Sequence, residues 1–338
     1  MNVFGQELSL PQIRDRLAGL STIAEVRPVT LFDGPQRGVL AVDVRTSQGL
    51  EYTVVPDRGM DICNFRYRGI PLDWSFPTGI TAPALYDGRG WNWVRSFHGG
   101  IVTTCGLDNV GEPCEDAGTQ YGGHGRISNT PACNVSWGTR TRAQGTFLEV
   151  SGQCRLAALQ EGHLVLTRTV SSPVDGAGLV LTDHVENRGC APAVVLLNYH
   201  CNFGWPLLSG RSRLEIPAAF AQDRQGRRVD DYSAITDPQD AAEDLVLYPV
   251  VEGNEVEVRL TNPDLAGGLG VRLRYNRSQL PHLTLWKYLQ KRTYVLAIEP
   301  GTCRVEGRAI ERHSGRAIML EPDQVVQTSL AIDAITDL

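Results

Sequence analysis

The sequence predicts an all-β protein, a large antiparallel sandwich preceded by one short helix. Three observations lead there. Runs of β-branched and aromatic residues, partly alternating with polar ones, recur along the chain. Turn residues separate them, as at Asp33-Gly34, Asp175-Gly176, Asn187-Arg188-Gly189 and Gly267-Gly268. Helical periodicity does not return between the strands, which argues against the strand–helix alternation of a parallel sheet.

Taken in order, Pro11–Leu20 is the one helical segment near the start. Pro11 suits a first helical turn, and Ile13, Leu17 and Leu20 share a face. Strands follow at 38–44, 50–55, 147–154, 163–170, 179–185, 193–198, 255–260, 270–275, 293–298 and 325–332. Two regions lack a period. Residues 74–123 are rich in Gly, Pro and Trp, and a loop of that length in a compact domain is usually functional. Residues 221–244 are polar and acidic and read as a lid or insertion. We divide the chain into a helical extension, residues 1–25, and a single β domain, residues 26–338.

Composition narrows the function. The 338 residues are 42% apolar and 21% charged, an ordinary globular balance that supports a sizeable core. A net charge of −6 disfavours nucleic acid or an anionic membrane as partner. There are thirty arginines but only two lysines, Lys287 and Lys291, a bias that fits a GC-rich genome. The first residues lack a basic start followed by an apolar core, and no apolar run approaches a membrane span, so a cytoplasmic location is expected. Eight cysteines are scattered without a CxxC pair and read as small buried hydrophobes in a reducing compartment. Of these, Cys105 and Cys201 fall within the segments of chemical interest.

Five segments carry chemistry. VVLLNYHCNFGWPLL, residues 194–208, runs from an apolar strand into Asn198, Tyr199 and His200, then turns. An imidazole flanked by amides and aromatics suits a sugar site, where aromatics cover apolar ring faces, amides bond hydroxyls and histidine moves protons. A core histidine closing a strand end is the plain alternative. VVPDRGMDI, residues 54–62, offers Arg58 as a grip for vicinal hydroxyls or a carboxylate, or else as one half of an ion pair with Asp57 or Asp61. SFHGGIVTTCGLDNVG, residues 96–111, places His98 before two glycines that allow close backbone approach. In YGGHGRISNTP, residues 121–131, glycines leave His124 accessible, with Arg126 following. YVLAIEPG, residues 294–301, carries Glu299 to a strand end, where partial desolvation raises a carboxyl toward a useful base. Upstream of it, PHLTLWKYL offers His282, Trp286 and Lys287. Trp286 could stack on a sugar or fill the core.

Together these segments resemble the galactose mutarotase-like (aldose 1-epimerase) superfamily, and more closely its bacterial DUF4432 branch. The matching stretches are PDRGMDI, FHGGIVTTCGLDN, YGGHGRISNTPA, NYHCNFGWPLL and AIEPG, in that order, over about residues 50–300. The resemblance implies a β-supersandwich with a sugar groove on one face. It implies that a histidine protonates the ring oxygen while a glutamate removes the anomeric hydroxyl proton. Carried over by residue, His200 is the acid and Glu299 the base. His124 and Arg126 bind substrate, His98 competes with His124 for that match, and Arg58 grips the sugar. Mutarotases also use an aspartate between these two catalytic residues. Asp230 and Asp231 lie in that interval, in an unconvincing context. The stretches around Trp91–Trp93 and Cys105–Asn109 depart from the galactose enzymes, which leaves room for an altered reaction.

The leading expectation is therefore a cofactor-free carbohydrate epimerase or mutarotase. Its site comprises His200 and Glu299 with Arg58, His98, His124, Arg126, Asn198, Trp286 and Lys287 around the sugar. One alternative is a divalent metal held by His98, His124, His200 and Glu299, serving an isomerase, epimerase or lyase of a keto-sugar. No compact ligand motif such as HExxH supports it. The other is a non-catalytic carbohydrate-binding protein. The expected partner is a small sugar. Oligomeric state is left open, a homodimer included.

Overall fold

The structure, a computed structural model, describes residues 1–159 and 162–336. Three antiparallel sheets dominate. The first has five strands in sequence order, Glu25–Thr30, Leu40–Arg45, Leu50–Val55, Asp61–Tyr67 and Ile70–Pro71. The second has eight strands. It starts with the long consecutive run Cys133–Arg142, Gly145–Ala158, Gly162–Pro173 and Gly178–Asn187. It then continues through Val325–Ile335, Leu269–Asn276, Glu255–Asn262 and Arg213–Glu215. The third also has eight strands and holds His282–Gln290, Thr293–Gly301 and Ala193–Phe203 side by side. Thr103–Leu107 pairs with the last of these. The all-β sandwich predicted from alternation and turns is the observed architecture.

Period-2 alternation decides what each sheet buries. Leu148, Val150, Leu166 and Leu181 from the second sheet meet Tyr199, Phe203, Leu285 and Ile298 from the third in one core, which the first sheet joins through Val42, Val54 and Phe65. The third sheet is buried on its other face too. There a second cluster, with Trp74, Trp93, Phe97 and Cys105 at its centre, packs over it from residues 74–110. The long aperiodic region is thus the cover of one sheet face.

The N-terminal helix is shorter than its apolar spacing predicts, spanning Leu10–Arg14. Ser9 and Gln12 form a capping box, which fixes its start. A single short turn has little helical stability of its own, and the chain leaves it after Asp15. Leu17 and Leu20 still reach the core, by way of a separate 3-10 turn at Leu20–Thr22.

Two strands run further than predicted. Ala193–Phe203 passes through His200, and Thr293–Gly301 passes through Glu299. Neither residue ends a strand. Asn198 and Asn202 lie with His200 on the covered face, so polarity there marks a site and not a turn.

One buried network joins the sheets. Arg168 donates two hydrogen bonds to Asp183, at 2.8 and 2.6 Å, and both side chains are fully buried. Tyr199 donates to the same carboxylate at 2.7 Å, and its hydroxyl meets Thr328 Oγ1 at 2.6 Å. Arg168 also reaches Thr104 Oγ1 at 2.6 Å, and Asp61 accepts the Thr104 N–H at 2.9 Å. Removing one member of a buried pair leaves an uncompensated charge. We expect Asp183→Asn to cost about 3–5 kcal/mol, read as a lower midpoint in chemical denaturation. Unchanged stability would show that the network does not hold the sheets together.

Candidate active site

The register of the third sheet assembles the site. Asn198 pairs with Gly301 and Cys201 with Ile298, which sets His200 opposite Glu299. Thr103 flanks His200 on one side and Thr284 flanks Glu299 on the other, so four polar residues form a row across four strands. His200 Nε2 lies 3.3 Å from Glu299 Oε1, and both side chains are nearly sealed from solvent. Burial lowers His200 to about 4, although its bond with Asn202 works the other way. Burial raises Glu299 to about 8, against the opposing pull of the neighbouring Asn198 amide and of Arg224. Both groups are therefore predominantly uncharged at neutral pH.

Around this pair the covering segment supplies aromatic walls. The His200 ring lies 5.1 Å from Phe97, 5.5 Å from Trp286 and 5.7 Å from His124, centroid to centroid. Trp93 lies 4.5 Å from the His124 ring. Trp286 is oriented by its Nε1–H, which donates to Asp244 at 2.6 Å. His124 adopts a left-handed backbone, φ 56°, between glycines and accepts the Gly111 N–H at Nδ1, 3.4 Å away. That assignment leaves the His124 proton on Nε2. Burial and the nearby His200 and Arg224 hold His124 well below the usual histidine range.

Several polar atoms on this face are buried without a hydrogen-bond partner among the described residues. They are both amide atoms of Asn198, Thr284 Oγ1 and Glu299 Oε2. Buried polar groups ordinarily find partners, so this row keeps hydrogen-bonding capacity beyond what the protein uses. Opposite Asn198, any side chain on Gly301 would meet the Asn198 amide at 3.2 Å and the Leu197 carbonyl at 3.0 Å.

Other expected site residues are placed elsewhere. Arg58 is no sugar grip. Its guanidinium is fully buried and donates to the Ser128, Thr81 and Ser96 carbonyls and to Thr81 Oγ1, at 2.6 to 3.2 Å. It clamps three loops. The strand alternation that turns Trp286 toward His200 turns Lys287 to the opposite face. There Lys287 Nζ donates to the Ala234 carbonyl at 2.9 Å, and burial lowers it to about 8. Lys287 borders a cavity of about 640 Å³ with Asp231, Tyr232 and Leu289, and none of His124, His200 or Glu299 lines that cavity. Asp230 pairs with Arg228 on the surface. Arg126 is exposed and ion-paired to Asp108 at 2.7 Å. His98 is buried, with neither ring nitrogen hydrogen-bonded among the described residues, and burial lowers it to about 3. His98 makes no ring contact with His200 or His124 among the described residues. The structure therefore brings together His124, Asn198, His200, Trp286 and Glu299. No group of three or more His, Cys, Asp or Glu side chains converges as a metal site among the described residues.

The sequence reading missed a second polar group at this face. Arg224 pairs with Glu112 at 2.7 Å and lies 3.7 Å from Glu306, whose carboxylate accepts the Tyr248 hydroxyl. Its charge reaches both His124 and Glu299. Nothing in DRQGRR separates Arg224 from Arg227 and Arg228. The alternation in HLTLWKYLQ, by contrast, is a strand signal that would have set Trp286 and Lys287 on opposite faces.

The comparisons agree with this architecture. Residues 36–334 match the family described as Domain of unknown function (DUF4432), and the chain belongs to that family. Its fold is galactose mutarotase-like. A solved structure from Klebsiella pneumoniae, titled a "putative aldose 1-epimerase", superposes with a TM-score of 0.83 at 25% identity, covering 92% of this chain and 83% of that one. A galactose mutarotase-like protein from Clostridium acetobutylicum superposes with a TM-score of 0.60 at 13% identity, covering 93% and 99%. The Slr1438 protein from Synechocystis gives 0.66 at 19% identity, covering 90% and 97%. No curated protein matches the chain. No helix among the described residues is long and apolar enough to cross a membrane.

Burial of Glu299 has a measurable consequence. A carboxyl whose folded pKa is raised contributes stability at low pH and loses it as pH rises from the unfolded value toward the folded one. The window runs from about 4.5 to about 8. Glu299→Gln removes this loss, so its stability relative to wild type should climb across the window by up to about 1.4 kcal/mol per pH unit. Parallel stability curves for the two proteins would contradict the buried, uncharged carboxyl. A second consequence concerns Arg58. Lysine cannot reproduce its forked contacts, so Arg58→Lys should lower the thermal midpoint, with loss of near-UV tryptophan signal from the covering segment. An unchanged melt would show that the clamp is dispensable.

Proposed function

We propose that this protein is a carbohydrate epimerase or mutarotase acting on an aldose or sugar derivative by acid–base ring opening and closure. The observation that carries the reading is the buried His200–Glu299 pair, 3.3 Å apart on one aromatic-walled sheet face. The ring oxygen and the anomeric hydroxyl of a sugar are bonded to the same carbon. Two proton carriers this close can serve both at once. Following the family resemblance, His200 donates to the ring oxygen and Glu299 takes the hydroxyl proton. The C1–ring oxygen bond breaks, the aldehyde end rotates, and closure reverses both transfers. Each carrier then recovers its starting protonation.

The surrounding residues fit binding. Trp286 offers an aromatic face beside His200, His124 presents Nε2–H toward the same space, and the Asn198 amide supplies a donor and an acceptor. The Klebsiella pneumoniae structure, named a "putative aldose 1-epimerase", supports this reading.

The test is anomer equilibration followed by NMR across a panel of neutral, oxidised and substituted aldoses. Positioned proton transfer is worth about 10²–10⁴-fold, so His200→Ala and Glu299→Gln should each lose a factor of that order. Rates equal to wild type with every sugar that wild type turns over would remove the pair from the chemistry.

A further inference from the structure

The hydrogen bonds of Asn202 determine where the His200 proton sits. Asn202 Nδ2 donates to the Gly100 carbonyl at 3.0 Å and to the His200 carbonyl at 2.8 Å. Reversing the amide would turn Oδ1 against two carbonyl oxygens, so its orientation is fixed. Asn202 Oδ1 then faces His200 Nδ1 at 2.6 Å and can only accept. Nδ1 therefore carries a hydrogen. In a neutral imidazole the other nitrogen, Nε2, is bare, and it is the one that faces Glu299 Oε1 at 3.3 Å.

Two lone pairs at that distance in a desolvated site repel unless a proton lies with one of them. The remaining carboxyl oxygen, Oε2, accepts no hydrogen bond among the described residues, and the nearby guanidinium of Arg224 is taken up by Glu112 and Glu306. A buried carboxylate with only the neighbouring Asn198 amide to favour its charge is costly, whereas a carboxylic acid needs fewer donors. The other titratable groups facing the pair are His124 and Cys105, neither of them a cation at neutral pH, while Cys201 lies on the core face of the strand.

We propose that Asn202 is a positioning residue that holds His200 as its Nδ1–H tautomer, so that the resting site keeps one mobile proton on Glu299. Moving that proton from Glu299 Oε1 to His200 Nε2 breaks one O–H bond and forms one N–H bond. It leaves a carboxylate and an imidazolium, the base and the acid of the ring-opening step, with no net proton uptake. The inference rests on the reading of His200 and Glu299 as the proton carriers, but its readout does not depend on turnover.

The experiment is nitrogen NMR of the histidine-labelled full-length protein at neutral pH, with infrared spectroscopy of the carboxyl region. Wild type should show a pyrrole-type Nδ1 and a pyridine-type Nε2 for His200, assigned by their loss in His200→Ala. It should also show a protonated carboxyl stretch that disappears in Glu299→Gln. Asn202→Asp places a carboxylate on Nδ1 and should move the proton, giving two pyrrole-type nitrogens and a weaker carboxyl band. A wild-type His200 with a bare Nδ1, or with both nitrogens protonated, would overturn the proposal even if Asn202→Asp fails to fold. Normal sugar turnover with that result would spare the functional reading. The expected tautomer with no turnover of any sugar would spare the inference and sink the function.

Discussion

The site depends on a constraint placed behind it. The Arg168–Asp183 pair binds the Tyr199 hydroxyl on one side and Thr104 on the other. Tyr199 and Thr104 are cross-strand partners, one residue before His200 and one after Thr103. Strand alternation sends each neighbour to the opposite face. Anchoring Tyr199 and Thr104 in the core therefore sets the height and register at which His200 and Thr103 present themselves. A slip of one residue would bury the imidazole in the core and expose the tyrosine. Hydrophobic packing alone specifies register loosely along an apolar strand such as VVLL. A buried ion pair with shared hydroxyl partners specifies it tightly, because any displaced position leaves charge unsatisfied.

That anchor lets the other face of the sheet remain unsatisfied. Glu299 Oε2, Thr284 Oγ1 and the Asn198 amide are buried without partners among the described residues, and burial holds both members of the His200–Glu299 pair uncharged. Each of these features lowers stability, and each is useful to a reaction that moves protons. The aromatic cover of Trp93, Phe97 and Trp286 sustains the arrangement, since it excludes solvent that would otherwise screen the pair. Desolvation thus sets the protonation of the pair, and the core network on the far face fixes where it stands.

Most of the architecture was legible in the sequence, because sheets bury one face and alternation shows it. The strand at Leu50–Val55 was placed to the residue. The His200, Glu299, His124 and Trp286 neighbourhood was legible as well, since glycines, aromatics and titratable groups seldom gather in segments without purpose. What could not be read was direction. A strand of polar residues on a covered face looks like a strand that has ended, so His200 and Glu299 were expected at strand tips. Lys287 beside Trp286 in sequence looked like its companion in space, until strand geometry sent the two to opposite faces. Arg224 was hidden for the converse reason, because it enters the site from an aperiodic segment where position follows from tertiary contacts alone.

Arg58 shows how a family motif is best interpreted. In PDRGMD the arginine clamps the carbonyls of Thr81, Ser96 and Ser128, and the second aspartate holds the Thr104 backbone beside Arg168. Burial raises Asp61 to about 7, with Arg58 and Arg168 pulling it down. Both charged residues thus support the covering segment and the site strand from behind. A guanidinium committed to backbone carbonyls has little left for a ligand, however well its sequence context resembles a sugar grip. Anchoring in this fold falls to the arginines whose donors are spent on protein, Arg58 and Arg168, while the covered sheet face keeps groups whose hydrogen-bonding capacity is still open. Under the proposed function, Asn198, Thr284 and Glu299 are by that criterion the residues with polar atoms open to a sugar, and the arginine-rich composition of the chain carries no information about the charge of what it would bind.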